Sequence, residues 1–203
     1  MRDSTIVAVL AGVLAFSVAF LFDWVSIRKI PYIKLAVVFS FLVLHGYALF
    51  AALWRADQFL LPAALSILGW VMLPVFAFLL VYSLAIELPS GKTYSQSGTP
   101  TALVTTGTYA LSRHPGVIWY VLALGSLLLA IRSSVLLIAA PVWALLNIIY
   151  ASVQDRFFFV KMFPEYQQYR QQTPMFIPTR KSIFACLRTL RAKPYHAAES
   201  KTA

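Results

Sequence analysis

Gly107-Thr-Tyr-Ala-Leu-Ser-Arg-His-Pro115 is the stretch where a polar segment turns into an apolar helix, and the interpretation of the fold starts there. An Arg and a His together at a membrane boundary are costly unless they face a cavity or a partner. Pro115 suits the first turn of a helix, because its missing N–H would be unpaired there. The free N–H groups of that turn, with Arg113 and His114 beside them, predict a site for an anionic group.

The chain around this stretch is apolar enough to belong in a bilayer. Of its 203 residues, 60% are hydrophobic and 12% are charged, whereas a soluble domain carries about 25% charged residues. Crossing a hydrocarbon core takes about 20 residues, and five stretches approach that length: 5–22, 33–54, 59–87, 115–131 and 134–153. Because lipid offers no partner to backbone polar groups, all five are predicted to be helices. The predicted fold class is all-α, an integral membrane bundle of about five transmembrane helices.

We expect residues 1–180 to form a single transmembrane domain and residues 181–203 a basic cytoplasmic tail. A cleaved signal peptide is the rival interpretation of the first stretch. It is disfavoured because Arg2 is followed at once by Asp3 and no small-x-small cleavage site follows. In the tail, one helical face gathers apolar side chains and predicts a short interfacial helix: Ile183, Phe184, Leu187 and Leu190. The last ten residues are predicted to be disordered.

The net charge of +10 reflects topology and does not indicate a nucleic-acid partner. Nine of the 17 Lys and Arg residues follow residue 150, and Arg28, Lys29 and Lys34 lie in the first loop. Basic loops alternate with nearly neutral ones, which is the positive-inside pattern. This pattern places the N-terminus outside the cell membrane, and the first loop, the 88–114 loop and the tail in the cytoplasm. The bilayer itself is therefore the expected macromolecular partner.

The two last apolar stretches form a hairpin that brings distant polar residues together. A short turn around Ser133 joins them, so the helices must be antiparallel. With a rise of 1.5 Å per residue, His114 and Asp155 both lie about 30 Å from that turn. Arg113 and His114 should therefore face Gln154 and Asp155 at the cytoplasmic end. Such an arrangement suits a zwitterionic ligand, and an Arg113–Asp155 ion pair that merely anchors the helix ends explains it equally well.

Two further residues have open roles. His45 lies at mid-depth in the second apolar stretch, where a hydrogen bond to a neighbouring helix accounts for it as well as a functional role does. Glu87 closes the third stretch and would either face a ligand pocket beside Arg113 and His114 or only end the span. No Cys or His residues have the spacing of metal ligands.

With the hairpin in place, the sequence resembles the isoprenylcysteine carboxyl methyltransferase and phospholipid N-methyltransferase superfamily of membrane enzymes. That family opens one helix with Arg-His-Pro-x-Tyr-x-Gly, ends the other with an acidic pair, and closes with a tail rich in Tyr. Leu103-Val-Thr-Thr-Gly-Thr-Tyr-Ala-Leu-Ser-Arg-His-Pro115 resembles the first motif. The tail is matched by Phe163-Pro-Glu-Tyr-Gln-Gln-Tyr169 and Thr173-Pro-Met-Phe-Ile-Pro178.

The resemblance implies S-adenosylmethionine as cofactor, in a pocket roofed by the 88–114 loop and the tail. The cofactor-binding residues that it implies are Gly107, Tyr109, Arg113, His114, Gln154 and Asp155. The methyl acceptor would be a small or lipid-like molecule. This chain departs from the family where Val117 and Trp119 replace the motif Tyr and Gly, and where Gln154 replaces one acid.

Three functions follow as expectations. The first is methyl transfer from S-adenosylmethionine, in which the sulfonium already activates the methyl group and the protein aligns the acceptor and excludes water. The second is a membrane reductase that uses a nicotinamide cofactor. The third is a non-catalytic relative with a role in membrane binding or assembly, which the departures at Val117 and Gln154 favour.

Overall fold

The computed structural model describes residues 2–28, 33–54, 57–88 and 103–190, and in these ranges the only regular secondary structure is helical. The elements are α1 (Arg2–Ile27), α2 (Ile33–Leu53), α3 (Ala63–Val81), α4 (Thr108–Leu111), α5 (Pro115–Ile131), α6 (Ser134–Val153), α7 (Phe159–Met162), α8 (Tyr166–Gln172) and α9 (Arg180–Thr189). Two π-helical turns, Tyr82–Ile86 and Gln154–Phe158, extend α3 and α6. The predicted all-α class is confirmed. Most of the 88–114 loop and the last thirteen residues lie outside the described ranges.

Four of these helices are long and apolar enough to cross a membrane: Asp3–Ser26, Ile33–Leu53, Ala63–Ile86 and Ser134–Met162. The fifth, α5, is apolar but shorter. It ends at Arg132, which adopts the left-handed backbone conformation with φ 60° and so stops the helix. The described residues are thus consistent with a helical membrane bundle that has four long apolar helices and one short one.

The bundle is a row of helices in which α6 holds the centre. α1 packs on both α2 and α6, α5 packs on α6, and α3 packs on α5 at the edge. The fully buried indole of Trp143 on α6 fills the middle of the core. A side chain at Gly12 of α1 would overlap that indole, and one at Gly69 of α3 would meet the backbone of α5 at Ser126 and Ala130. Small residues therefore allow the close helix approach that membrane bundles use.

At one end of the bundle, the two helix connections are hydrogen-bonded to each other. Phe59 N donates to Arg132 O at 3.0 Å and Ser134 N donates to Asp57 O at 2.9 Å. Residues 59–62 were predicted to be helical and are not: the bond of Phe59 N to Arg132 fixes the start of the segment, and the helix begins only after Pro62, whose backbone is extended with ψ 135°. At the opposite end lie the polar residues that the sequence singled out, together with the tail helices α7 to α9.

Candidate functional site

The Arg113 guanidinium and the Asp155 carboxylate form a buried, two-pronged ion pair across the hairpin. Nε lies 2.7 Å from Oδ1 and Nη2 lies 3.2 Å from Oδ2. Arg113 is 9% exposed and Asp155 2%. The start of α5 and the end of α6 therefore lie together as predicted, and the contact between them is the Arg113–Asp155 ion pair. Burying two charges costs free energy, and the ion pair offsets that cost only if further hydrogen bonds satisfy the remaining donors and acceptors.

The tail supplies those further hydrogen bonds. Arg113 Nη1 donates to the carbonyl oxygens of Arg170 at 2.9 Å and Thr173 at 2.7 Å. Tyr166 Oη donates to Asp155 Oδ1 at 2.6 Å, and Arg170 Nε lies 3.6 Å from Oδ2. The cluster, defined here as Arg113, His114, Asp155 and Tyr166, thus joins the hairpin to α8. The tail motif predicted from the sequence converges on the same carboxylate as the first motif.

His114 sits in the cluster without a hydrogen bond from its Nε2 atom. Nε2 lies 3.5 Å from Asp155 Oδ1, and no partner in the described residues meets it with hydrogen-bond geometry. The ring stacks on Phe159, with centroids 5.6 Å apart. Burial lowers the pKa of His114, and the neighbouring Asp155 offsets only part of that effect. The imidazole is therefore neutral at neutral pH.

The anion site that the sequence predicts at the first turn of α5 stays a prediction, but the two backbone amides directly before that turn are already hydrogen-bonded. Arg113 N donates to Pro174 O at 2.9 Å and His114 N to Met175 O at 3.3 Å. Ser112 Oγ donates to the same Met175 carbonyl at 2.6 Å. The tail segment after α8 therefore uses these donors itself.

Gln154 faces away from the cluster. Its Nε2 atom donates to both carboxylate oxygens of Asp23 on α1, each at 3.0 Å, and lies 2.9 Å from Tyr150 Oη. Gln154 therefore contacts α1, whereas its neighbour Asp155 contacts Arg113 and Tyr166. Asp23 is buried, and sequence reasoning missed it. An acid directly after the apolar stretch 5–22 was the signal that could have found it.

Gly107 and Tyr109 occupy the wall between α3 and α9. Gly107 has φ 60°, and a side chain there would overlap the Glu87 carboxylate. Its N–H donates to Thr189 Oγ1 on α9 at 2.9 Å. Tyr109 Oη donates to Ser83 O at 3.1 Å. Gly107 is therefore required by backbone conformation and by close packing.

Glu87 accepts hydrogen bonds from the backbone N–H and the hydroxyl of Thr108. It also lines a cavity of about 120 Å³ with Gly107 and Thr189. Burial raises the pKa of Glu87, and the Thr108 hydrogen bonds offset part of that rise. Glu87 thus both caps the short helix α4 and faces a cavity.

A larger groove of about 460 Å³, here called the α8–α9 groove, runs between the loop end and the tail. Its lining residues are Leu103, Thr105, Ala110, Glu165, Gln168, Tyr169, Gln172, Thr173, Lys181, Ser182, Ala185 and Thr189. Ligand pockets for small molecules measure roughly 300–1,000 Å³. Arg113 and His114 do not line the groove. They lie behind its wall, since Thr173 belongs to the groove and accepts from Arg113.

His45 lies in the core of the bundle. Its Nε2 atom lies 3.1 Å from Tyr120 Oη on α5, and its ring packs on Phe41 and Trp143. The bond links α2 to α5 inside the bundle.

Comparisons with protein-family models, with curated proteins and with solved structures find no match to this chain.

Proposed function

We propose that this protein is a membrane methyltransferase that transfers a methyl group from S-adenosylmethionine to a small or lipid-like acceptor. The observation that carries the proposal is the convergence of three separate motif segments. Arg113 and His114 open one helix, Asp155 ends another, and Tyr166 comes from the tail, yet all four meet in one buried cluster directly behind the α8–α9 groove.

The groove offers the chemistry that this cofactor needs. S-adenosylmethionine carries a carboxylate, an ammonium group, ribose hydroxyls and an adenine. The groove lining includes a cation at Lys181 and a carboxylate at Glu165, with amide side chains at Gln168 and Gln172. A cation, a carboxylate and neutral hydrogen-bonding groups in one lining fit a zwitterionic ligand. In this arrangement the cluster positions the wall of the groove, through the bond from Arg113 to Thr173. The residues that line the groove contact the ligand.

When bound, the cofactor supplies an electrophilic methyl group whose bond to sulfur breaks as the bond to the acceptor nucleophile forms. The residues of this chain contribute position and water exclusion, which can account for much of the acceleration of such a transfer.

We further infer the finer topology. All five apolar helices, including the short α5, cross the membrane, the N-terminus lies outside, and the groove opens to the cytoplasm. The alternation of basic and neutral loops supports this orientation. Because α5 is short, the bilayer is expected to thin locally or the helix ends to lie in the headgroup layer.

The decisive experiment measures S-adenosylmethionine binding to the detergent-solubilised protein by calorimetry, followed by transfer of labelled methyl groups in membrane extracts. Lys181→Gln should weaken binding because the groove loses its cation. Arg188→Gln is the matched control, since Arg188 is an exposed base on the same helix that does not line the groove. Equal affinity in the two variants, or no binding to the unmodified protein, contradicts the proposal.

A non-catalytic role in membrane binding or assembly is the second candidate, and one observation favours it. The Arg113 guanidinium makes four hydrogen bonds within the protein and Gln154 is bound to Asp23. These contacts join the hairpin to the tail and to α1, as expected of residues with a structural role. If the labelled methyl donor neither binds nor reacts, this second function takes precedence.

A further inference from the structure

The tail helix α9 has three faces of different character. Ser182, Cys186 and Thr189 point inward and are buried or half-buried. An adjoining face exposes large apolar side chains: Ile183, Phe184, Leu187 and Leu190, with Phe184 62% and Leu187 61% exposed. The remaining face carries the exposed Arg188, with the exposed Arg180 at the helix start, while Lys181 lines the α8–α9 groove. A helix with protein-facing, apolar and basic faces has the pattern of one that lies in a membrane interface.

The place of α9 in the fold agrees with this pattern. Leu190 lines one cavity together with Tyr82 and Ile86, which end the membrane-crossing stretch Ala63–Ile86. The α9 C-terminal turn is therefore level with the boundary of the apolar bundle. Ile86 is itself an exposed apolar side chain there, so the apolar surface continues from the spanning helix onto α9.

We propose that α9 is seated in an anionic bilayer surface, with its apolar face at the acyl boundary and its basic face against lipid headgroups. Both attractive forces are present on one helix, since apolar burial and attraction between basic residues and anionic lipid add together in such binding. The partner is thus a lipid bilayer rather than a second protein.

This seating has a consequence for the α8–α9 groove. The inward face of α9 supplies Ser182, Ala185 and Thr189 to the groove lining, and Thr189 also accepts from Gly107 N. A bilayer that holds the outer faces of α9 therefore holds one wall of the groove. This last step rests on the proposed function, and it makes cofactor affinity depend on anionic lipid.

The test places a nitroxide on the full-length chain in lipid nanodiscs. Replacing the single cysteine by Cys186→Ser allows one label at a time, at Leu187→Cys on the apolar face or at Arg188→Cys on the basic face. With anionic lipid present, the label at 187 should be reached by oxygen and protected from a water-soluble nickel chelate, and the label at 188 should show the reverse. Discs of zwitterionic lipid alone should reduce the protection at 187.

Equal chelate accessibility at 187 and 188 overturns the proposal. So does spin–spin broadening at 187 that vanishes on dilution with unlabelled protein, since it shows that a second copy covers the face. A repeat with the label at Ile183→Cys guards against local disturbance by the probe.

The link to the groove is measured separately. Phe184→Ser combined with Leu187→Ser should weaken S-adenosylmethionine binding several-fold in anionic discs and much less in detergent. Leu60→Ser is the control, because Leu60 is a fully exposed leucine at the other end of the bundle. The label measurements need no cofactor, so a protein that fails to bind it contradicts the proposed function while the position of α9 is still decided.

Discussion

Arg113 is the residue on which the hairpin and the tail both depend. Its guanidinium bonds Asp155 of the hairpin and the carbonyls of Arg170 and Thr173 in the tail. Breaking a buried ion pair on one side leaves the other charge without compensation. We therefore expect the cluster to be sensitive to single changes and more tolerant of paired ones.

Asp155→Asn should lower the free energy of unfolding by about 3–5 kcal/mol, because the buried Arg113 charge then lacks its counter-ion. The double variant Arg113→Met with Asp155→Leu should be less destabilised than the sum of its single variants, since no buried charge remains unpaired. Chemical denaturation in detergent measures Asp155→Asn and, for the additivity comparison, the unmodified protein, Arg113→Met, Asp155→Leu and the double variant. Strict additivity would mean that the ion pair is not coupled as its geometry indicates.

Gln154→Glu restores the acidic pair of the resembling family and should nevertheless destabilise this protein at neutral pH. It replaces the amide that donates to Asp23 by a second carboxylate. Acidification should restore part of the loss, because a protonated carboxyl can donate again. Gln154→Met, which adds no charge, serves as the comparison in thermal denaturation. An unchanged melting temperature of Gln154→Glu at neutral pH would contradict the contact between residue 154 and Asp23.

His114 should make the protein less stable in mild acid. Its pKa in the folded state lies below the ordinary value of about 6.5. The unfolded chain therefore takes up the proton first, and the contribution of neutral His114 is lost as the pH falls from 6.5 toward the lower folded-state pKa. The fall in melting temperature between pH 7.5 and 5.5 should be smaller in His114→Asn. A fall of the same size in that variant would assign the effect to other groups.

At the scale of elements, Ser133 ties α6 to α2. Its hydroxyl accepts from Leu136 N at 3.1 Å as the cap of α6 and donates to Ala52 O at 2.6 Å. Ser133→Ala should cost about 1–2 kcal/mol of unfolding free energy, measured by chemical denaturation. Ser134→Ala is the neighbouring control outside the cap position. A larger loss at Ser134 than at Ser133 would be inconsistent with this capping geometry.

Some contacts between the elements could be predicted from the sequence and others could not. Helix rise alone predicts that Arg113 and Asp155 meet, because a short turn and two straight helices leave little freedom. The direction of Gln154 was not predictable in the same way, since it depends on α1, which is far away in sequence and packs on α6 by tertiary contacts. The use of the Arg113 and His114 amides by residues 174 and 175 is likewise invisible before the tail is folded back.

At the scale of the whole molecule, the predicted orientation can be tested directly. Reporter fusions after Lys34, within residues 90–100 and after residue 180 should read as cytoplasmic, and a fusion after Asp57 as external. The reason is the excess of Lys and Arg in the first loop and the tail. A cytoplasmic signal after Asp57 would overturn the model in which five helices cross the membrane.

The edge position of α3 has a consequence for how the protein is made. α3 packs mainly on α5. Because α5 follows α3 and the loop after it in the sequence, α5 is synthesised later than α3. α3 must therefore wait in lipid without its partner, and its uninterrupted apolar sequence allows it to insert alone. If the short α5 crosses the membrane, we expect it to enter together with α6. The packing therefore predicts an early stage, in which the first helices insert one by one, and a late stage, in which the final hairpin joins them.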